Sequence, residues 1–168
     1  MDMSTICVTC GKKSQEYVIE CYCCGKSYCS DRCKALDHQK KISHHKWRDY
    51  KRLYEEIMDI DPKIRLVTIS DIDGKVMYSD YREGIDNFLT LEESKKSLEL
   101  AVNAWKTRSA LAPKIGKGKY VLAEYEKIKR ITMPLGENHL VYITTEREAD
   151  HSNIISKTRY IMMQKQDY

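Results

Sequence analysis

Residues 21–33 read Cys21-Tyr-Cys-Cys-Gly-Lys-Ser-Tyr-Cys-Ser-Asp-Arg-Cys33, a stretch whose repeated thiols are typical of a metal site. Cys21 and Cys24 are separated by two residues, and Gly25 follows them. This spacing and the glycine let the backbone curl, so that both thiolates can bind one zinc ion. Cys29 and Cys33 are one helical turn apart, so a short helix would present both sulfurs on the same side. This stretch predicts a fold built around metal rather than around a hydrophobic core.

Further candidate ligands lie on both sides of this stretch. Cys7-Val-Thr-Cys10-Gly repeats the knuckle, and His38, His44 and His45 follow. Disulfides and buried apolar thiols are the alternatives. Disulfides need an oxidising compartment, whereas the first residues lack the basic and apolar pattern of a signal peptide. Because the cysteines come in pairs at zinc-ligand spacing, we expect two tetrahedral Zn²⁺ sites per chain.

The run Tyr28-Cys29-Ser30-Asp31-Arg32-Cys33, preceded by Cys21-x2-Cys24, resembles the MYND-type zinc finger. That family is a treble-clef cross-brace in which the first and third ligand pairs share one zinc ion. For this chain the resemblance implies one site with four thiolate ligands: Cys7, Cys10, Cys29 and Cys33. It assigns Cys21 and Cys24 to the other site.

The end of the second site departs from the MYND pattern, in which a His-x3-Cys segment closes the site. No cysteine follows Cys33, and Asp49 stands where the last one would be. Closure by two histidines, as in the related B-box cross-braces, predicts His38 and His44 as ligands. His45 is their substitute and Asp49 a further candidate. Cys23 is left over as a packing thiol beside the site.

The distribution of cysteine divides the chain. All seven cysteines lie in the first 33 of 168 residues, which predicts a zinc module at 1–46 and a second domain at 47–168. A module of this size buries too little apolar surface to fold unaided, so zinc would supply much of its folding free energy. No run approaches the ~20 apolar residues of a membrane span, and we expect a cytoplasmic protein.

The second domain shows an ordered series of helix and strand signals. Asp73-Gly74 between two β-prone runs predicts a hairpin, and Thr90-Leu-Glu-Glu93 predicts a helix start with a capping box. The full prediction is a helix at 46–58 ended by Asp61-Pro62, strands at 64–70 and 75–79, a helix at 91–111, strands at 119–125, 128–134 and 140–144, and a helix capped by Asp150.

This order resembles the roadblock/LC7 family. Asp61-Pro-Lys-Ile-Arg65, Tyr81-Arg-Glu-Gly84 and Thr145-Glu-Arg-Glu-Ala-Asp-His151 are similar to an uncharacterised archaeal family of roadblock-like domains, over residues 47–165. The resemblance implies an α+β class with a roadblock-like (profilin-like) five-stranded antiparallel sheet and flanking helices. It also implies a dimer that serves as a platform for small GTPases or for motor and signalling complexes.

Two segments of the second domain carry more apolar surface than one sheet contact needs. The helix at 91–111 has apolar residues on a second side, at Leu100, Ala104 and Leu111. The strand at 119–125 is apolar on both faces, which is an aggregation risk if its edge stays unpaired. We therefore expect a homodimer through these two elements. The alternative is a helix wedged between the sheet and the zinc module.

Motifs for catalysis are weak. Gly116-Lys-Gly-Lys119 lacks the spacing of a phosphate-binding loop and predicts a flexible basic turn. His139 and His151 are far apart in sequence, and no cysteine or serine nucleophile motif lies near them. Asp71, Asp73 and Asp80 lack the calcium-loop pattern and fit turn chemistry. We expect no enzyme activity and no catalytic residues.

The leading hypothesis is a non-enzymatic interaction protein with a dimeric scaffold. MYND modules typically bind short proline-containing peptides, so that resemblance implies a protein partner. The alternative is a nucleic-acid-associated zinc-finger factor, although the net charge of +4 is modest. Its phosphate contacts would come from Lys12, Lys13, Lys26, Arg32, Lys34, Lys40, Lys41, Lys46 and Arg48. A sensor of small ligands or of redox state is a third hypothesis.

Overall fold

The computed structural model describes residues 5–7, 13–14, 19–20, 27–28, 30, 33 and 43–165, and in the last range it describes side chains from residue 49 onward. The chain divides into two compact units, Met1–Asp49 and Tyr50–Tyr168. The predicted domains, 1–46 and 47–168, remain a prediction about independent folding, which this spatial division does not test.

The described part of the N-terminal unit contains two short hairpins. Strand β1 (Thr5–Ile6) pairs antiparallel with β2 (Lys13–Ser14), and β3 (Ile19–Glu20) pairs antiparallel with β4 (Ser27–Tyr28). Strand β1 also lies beside β4.

A five-stranded antiparallel sheet forms the C-terminal unit. Its strands are β5 (Ile64–Asp71), β6 (Val76–Tyr81), β7 (Val121–Glu124), β8 (Ile128–Leu135) and β9 (His139–Glu146), in the spatial order β6-β5-β9-β8-β7. The helices are α1 (Ser43–Met58), α2 (Leu91–Ser109), the short α3 (Ala112–Ile115) and α4 (His151–Met163). Residues of α1 from Tyr50 onward belong to this unit.

Helices cover both faces of the sheet. On one face, Leu53 and Ile57 of α1 and Ile154 of α4 pack on Ile143 of β9, and all four side chains are fully buried. Side chains alternate between the faces of a strand, so the neighbours of Ile143 point to the other side. There, α2 covers a smaller cluster formed by Leu98, Val102, Trp105, Leu140 and Tyr142. Burial of each large apolar side chain contributes about 1.5–3 kcal/mol to stability.

The sequence signals for turns and helix starts are confirmed. Gly74 has a φ of 88° in the first hairpin, a conformation that costs glycine little. Thr90 and Glu93 form the predicted capping box, and Asp150 caps α4. Helix α2 ends at Ser109, short of the predicted 111, because Pro113 in a continuous helix would clash with the Ser109 carbonyl. Strand β7 is also shorter than predicted.

Arg82 holds together the segments that lead into the sheet. Its Nε donates to the carbonyl of Ile64 at 2.7 Å, and its Nη2 donates to the carbonyls of Met58 at 2.7 Å and Asp61 at 3.0 Å. The last carbonyls of a helix have no partner within the helix, so this guanidinium satisfies the end of α1. The Tyr81-Arg-Glu-Gly84 segment therefore has a structural role.

Candidate protein interface

Helix α2 has a buried stripe and an exposed one. Leu98, Val102 and Trp105 recur at helical spacing and pack on the sheet, each at most 8% exposed. Leu100 is 71% exposed and shares the next stripe with Ala104 and Arg108. The sequence predicted Leu100 and Ala104 in this second stripe, whereas the predicted Leu111 lies beyond the end of α2.

Strand β7 forms one edge of the sheet. Within the described part of the chain, β8 is the strand that pairs with it, from Val121 opposite Thr132 to Glu124 opposite Lys129. Val121 packs towards the α2 cluster and Leu122 towards the main core, so the strand is apolar on both faces. We call the exposed stripe of α2, with β7 and the half-exposed Tyr125 beside it, the α2–β7 face.

A groove of about 230 Å³ lies between α2 and the outer strands of the sheet. Arg130 of β8 lies in it, where its Nη1 donates to the hydroxyl of Ser97 on α2. The guanidinium carbon of Arg130 is 5.4 Å from the ring centre of Tyr125 and 5.8 Å from that of Tyr142. Arg108 is a second cation in the lining, which contains no carboxylate among the described residues.

The structure places the residues considered for catalysis in structural contacts. His139 Nε2 lies 2.8 Å from the Tyr50 hydroxyl. His151 begins α4, with its Nδ1 3.3 Å from the Nζ of the buried Lys129. Lys117, in the basic turn before β7, pairs with Glu137 at 3.4 Å while both side chains are exposed.

Asp71, the last residue of β5, and Asp73 serve the hairpin turn. Asp71 Oδ1 accepts from the backbone N–H groups of Asp73 and Lys75, each at 2.9 Å. Asp73 also pairs with Lys106 of α2 at 2.8 Å. These contacts agree with turn chemistry as the reason for acidic residues at 71 and 73.

Only part of the predicted zinc set lies among the described residues. Cys7 follows β1 directly and is 3% exposed. Cys33 has helical backbone, and its N–H donates to the Ser30 hydroxyl at 3.2 Å, a contact typical of a helix N-cap. The backbone of His44 lies in α1, and Asp49 is exposed. Cys10, Cys21, Cys23, Cys24, Cys29 and His38 lie outside the described residues.

Few of the predicted ligands have a described side chain. Among the described side chains, no group of three or more His, Cys, Asp or Glu residues could hold a metal ion. Cys7 and Cys33 are the predicted ligands in that set. Strand β1, which Cys7 follows directly, lies beside β4. The zinc ligands and the MYND resemblance remain predictions.

Arg130 was not predicted from the sequence. Its signal was an arginine and a threonine two residues apart in the strand Ile128–Leu135. Alternation places Arg130 and Thr132 on the same face, opposite Ile131 and Met133. The register then adds Ala123 opposite Arg130 and Tyr142 opposite Thr132, which builds the groove floor across three strands.

Neither a protein-family model nor a curated protein matches this sequence. Solved structures do match. Gliding protein MglB from Thermus thermophilus aligns with a TM-score of 0.58 at 15% identity, over 70% of this chain and 87% of that chain. A roadblock/LC7 domain from Streptomyces avermitilis aligns with a TM-score of 0.54 at 14% identity, over 67% and 90%. MglB from Myxococcus xanthus aligns with a TM-score of 0.51 at 13% identity, over 68% and 80%.

This chain has a roadblock/LC7 fold over about 70% of its length. The predicted α+β class and five-stranded antiparallel sheet are thereby confirmed. A roadblock/LC7 fold by itself does not specify an activity, because function resides in sites placed on folds. Among the described residues, no helix has the length and apolar character needed to cross a membrane.

Proposed function

We propose that this protein is a non-enzymatic adaptor that forms a homodimer through its α2–β7 face and binds a protein partner. The observation that carries the proposal is the exposed Leu100 of α2 beside an edge strand, in a roadblock/LC7 fold. MglB, which has a similar fold, has been solved in a tetrameric arrangement, which supports oligomerisation. The roadblock resemblance favours a small GTPase or a signalling complex as the partner.

Pairing of two chains would cover both the open edge of β7 and the exposed Leu100. Among the described strands none pairs with the outer side of β7, and a second copy could satisfy the N–H and C=O groups there. Leu100 would leave water at the contact, which contributes about 1.5–3 kcal/mol for one buried leucine. The same face therefore supplies both hydrogen bonds and apolar area to a dimer.

A charge on the α2–β7 face should break this dimer. Leu100→Glu leaves the fold intact because Leu100 is 71% exposed. Light scattering on the full chain should give twice the chain mass of 19.7 kDa for the wild type and a single chain mass for the variant, at concentrations on the order of 10 μM. Met163→Glu, at a 67% exposed position of α4, is the matched control and should remain dimeric. A monomeric wild type would contradict the proposal.

The N-terminal unit is proposed as the zinc-binding interaction module. The ligands proposed for its first site are Cys7, Cys10, Cys29 and Cys33, and those for its second site are Cys21, Cys24, His38 and His44. The supporting observations are the burial of Cys7 after β1, the Ser30 cap on the backbone of Cys33, and the neighbouring β1 and β4. Bound zinc would hold these short hairpins together, since a unit of this size has little core of its own.

A further inference from the structure

Arg130 lies in the groove, and no described residue is its counter-ion. Its Nη1 donates to Ser97, which leaves the rest of the guanidinium for other partners. In the described part of the chain, no carboxylate pairs with Arg130, and its buried Nε has no hydrogen-bond acceptor. A buried donor without an acceptor is unfavourable, and a guanidinium binds carboxylates through two parallel N–H groups. The position therefore fits an anion that the described residues do not supply.

The surroundings of Arg130 restrict what that anion can be. Leu100, Ala104 and Trp105 of α2 form one wall, and Val121 and Ala123 of β7 form the other. The volume of about 230 Å³ is below the ~300–1,000 Å³ of typical ligand sites, which favours a ligand smaller than a nucleotide. These walls favour a ligand with a small apolar body and one anionic group.

We propose that this groove binds a small organic monocarboxylate. Its carboxylate accepts hydrogen bonds from the guanidinium of Arg130, and its apolar body lies between α2 and β7. Tyr125 and Tyr142 hold the guanidinium in place through their ring faces. Arg108, at the same groove, adds a second positive charge that favours the anion. This site goes beyond the proposed dimer, because it concerns a small ligand rather than a second chain. The groove shares Leu100, Ala104 and Arg108 with the α2–β7 face, so in the proposed dimer the ligand would lie at the interface.

Titration calorimetry on the full chain with benzoate tests the proposal. Benzamide is the neutral molecule of nearly the same shape, and it should bind at least about tenfold more weakly because it lacks the charge that Arg130 recognises. Arg130→Gln should abolish benzoate binding. Lys96→Gln is the matched control, because it removes one positive charge from α2 at a position outside the groove lining. It should leave the affinity unchanged.

A second variant keeps the test valid if Arg130→Gln fails to fold. Ala123→Leu fills the groove without removing a charge, and it should also abolish benzoate binding. The proposal is overturned if the wild type does not bind benzoate, if benzamide binds equally well, or if both variants bind like the wild type. Light scattering on the same samples reports the dimer separately, so loss of one proposal is distinguishable from loss of the other.

Discussion

Tyr78 of β6 packs against Tyr54 of α1, with ring centres 5.0 Å apart. Burial, followed by the negative charge of Asp80, raises the pKa of Tyr78 from 10.0 to about 12. Both causes act in the same direction because each disfavours the tyrosinate. In the unfolded chain the hydroxyl returns to its ordinary pKa. The folded chain therefore keeps a proton over a pH range in which the unfolded chain has lost it.

We expect the free energy of unfolding to fall as the pH rises from 10 to about 12. In this range the unfolded state binds fewer protons than the folded state, so rising pH favours unfolding. Urea unfolding at several pH values measures the slope. Tyr78→Phe removes the titrating group and should make the slope shallower, whereas Tyr160→Phe, at a 65% exposed position, should not. Equal slopes in Tyr78→Phe and the wild type would refute this assignment.

Single residues were predictable from sequence where their chemistry is local. The turn at Gly74 and the caps formed by Thr90 and Asp150 involve backbone groups only a few residues away, so the neighbouring sequence predicts them. Arg82 and Arg130 were not predictable in this way. The carbonyls that Arg82 satisfies lie 18 to 24 residues away, and the hydroxyl that Arg130 contacts lies 33 residues away. Only the assembled sheet brings those groups together.

The start of helix α2 depends on a reciprocal pair of hydrogen bonds. The Glu93 N–H donates to Thr90 Oγ1 at 3.2 Å, and the Thr90 N–H donates to Glu93 Oε2 at 2.8 Å. The bond from the Thr90 backbone lowers the pKa of Glu93, because it favours the carboxylate. Two N–H groups that the helix cannot satisfy are thereby paired.

Thr90→Ala should destabilise the protein by about 1 kcal/mol, since alanine cannot accept the hydrogen bond at the helix start. Thr107→Ala is the same substitution later in α2, where the hydroxyl donates to the Asn103 carbonyl at 3.1 Å. It should change the stability by less than about 0.5 kcal/mol, because alanine is the better residue inside a helix. Chemical denaturation compares the two variants. Equal losses would show that the cap does not stabilise α2.

The order of helices and strands in the C-terminal unit came out as predicted apart from the short α3, whereas the bounds of several elements differ from the prediction. The hairpin of β5 and β6 and the starts of α2 and α4 are confirmed. The sequence predicted a longer β7 than the structure contains. Tyr120 and Tyr125 are β-prone, but they lie outside the ladder with β8. Partner strands decide where a strand ends, and sequence pattern does not contain their register.

At the scale of the whole molecule, zinc content tests the proposed N-terminal module. Metal analysis should find about two zinc ions per chain, because the ligand sets form two tetrahedral sites. Cys21→Ser should remove one ion and Cys7→Ser the other. Cys23→Ser is the matched control, since that thiol belongs to neither proposed site, and it should keep both ions. About one ion per chain, unchanged by Cys21→Ser, would eliminate the second site.

Dimerisation through the α2–β7 face is the central claim about the whole molecule. The hydrogen bonds beside the β7–β8 ladder show which backbone amides of β7 a second chain could reach. Tyr125 N–H donates to the Ile128 carbonyl at 2.9 Å. Because inward and outward amides alternate along an antiparallel edge strand, the amides of Ala123 and Val121 also point to β8. The amides of Leu122 and Glu124 point away from the sheet, where a second chain would pair with them.

Hydrogen exchange of these amides in the full chain, followed by NMR, tests the claim most directly. We predict that Leu122 and Glu124 become protected when the concentration rises from about 1 μM to about 100 μM. In Leu100→Glu they should exchange freely at both concentrations, while Val121 and Ala123 stay protected throughout as internal controls. If Leu122 and Glu124 exchange at the same fast rate at both concentrations in the wild type, β7 remains an open edge and the proposed dimer is wrong.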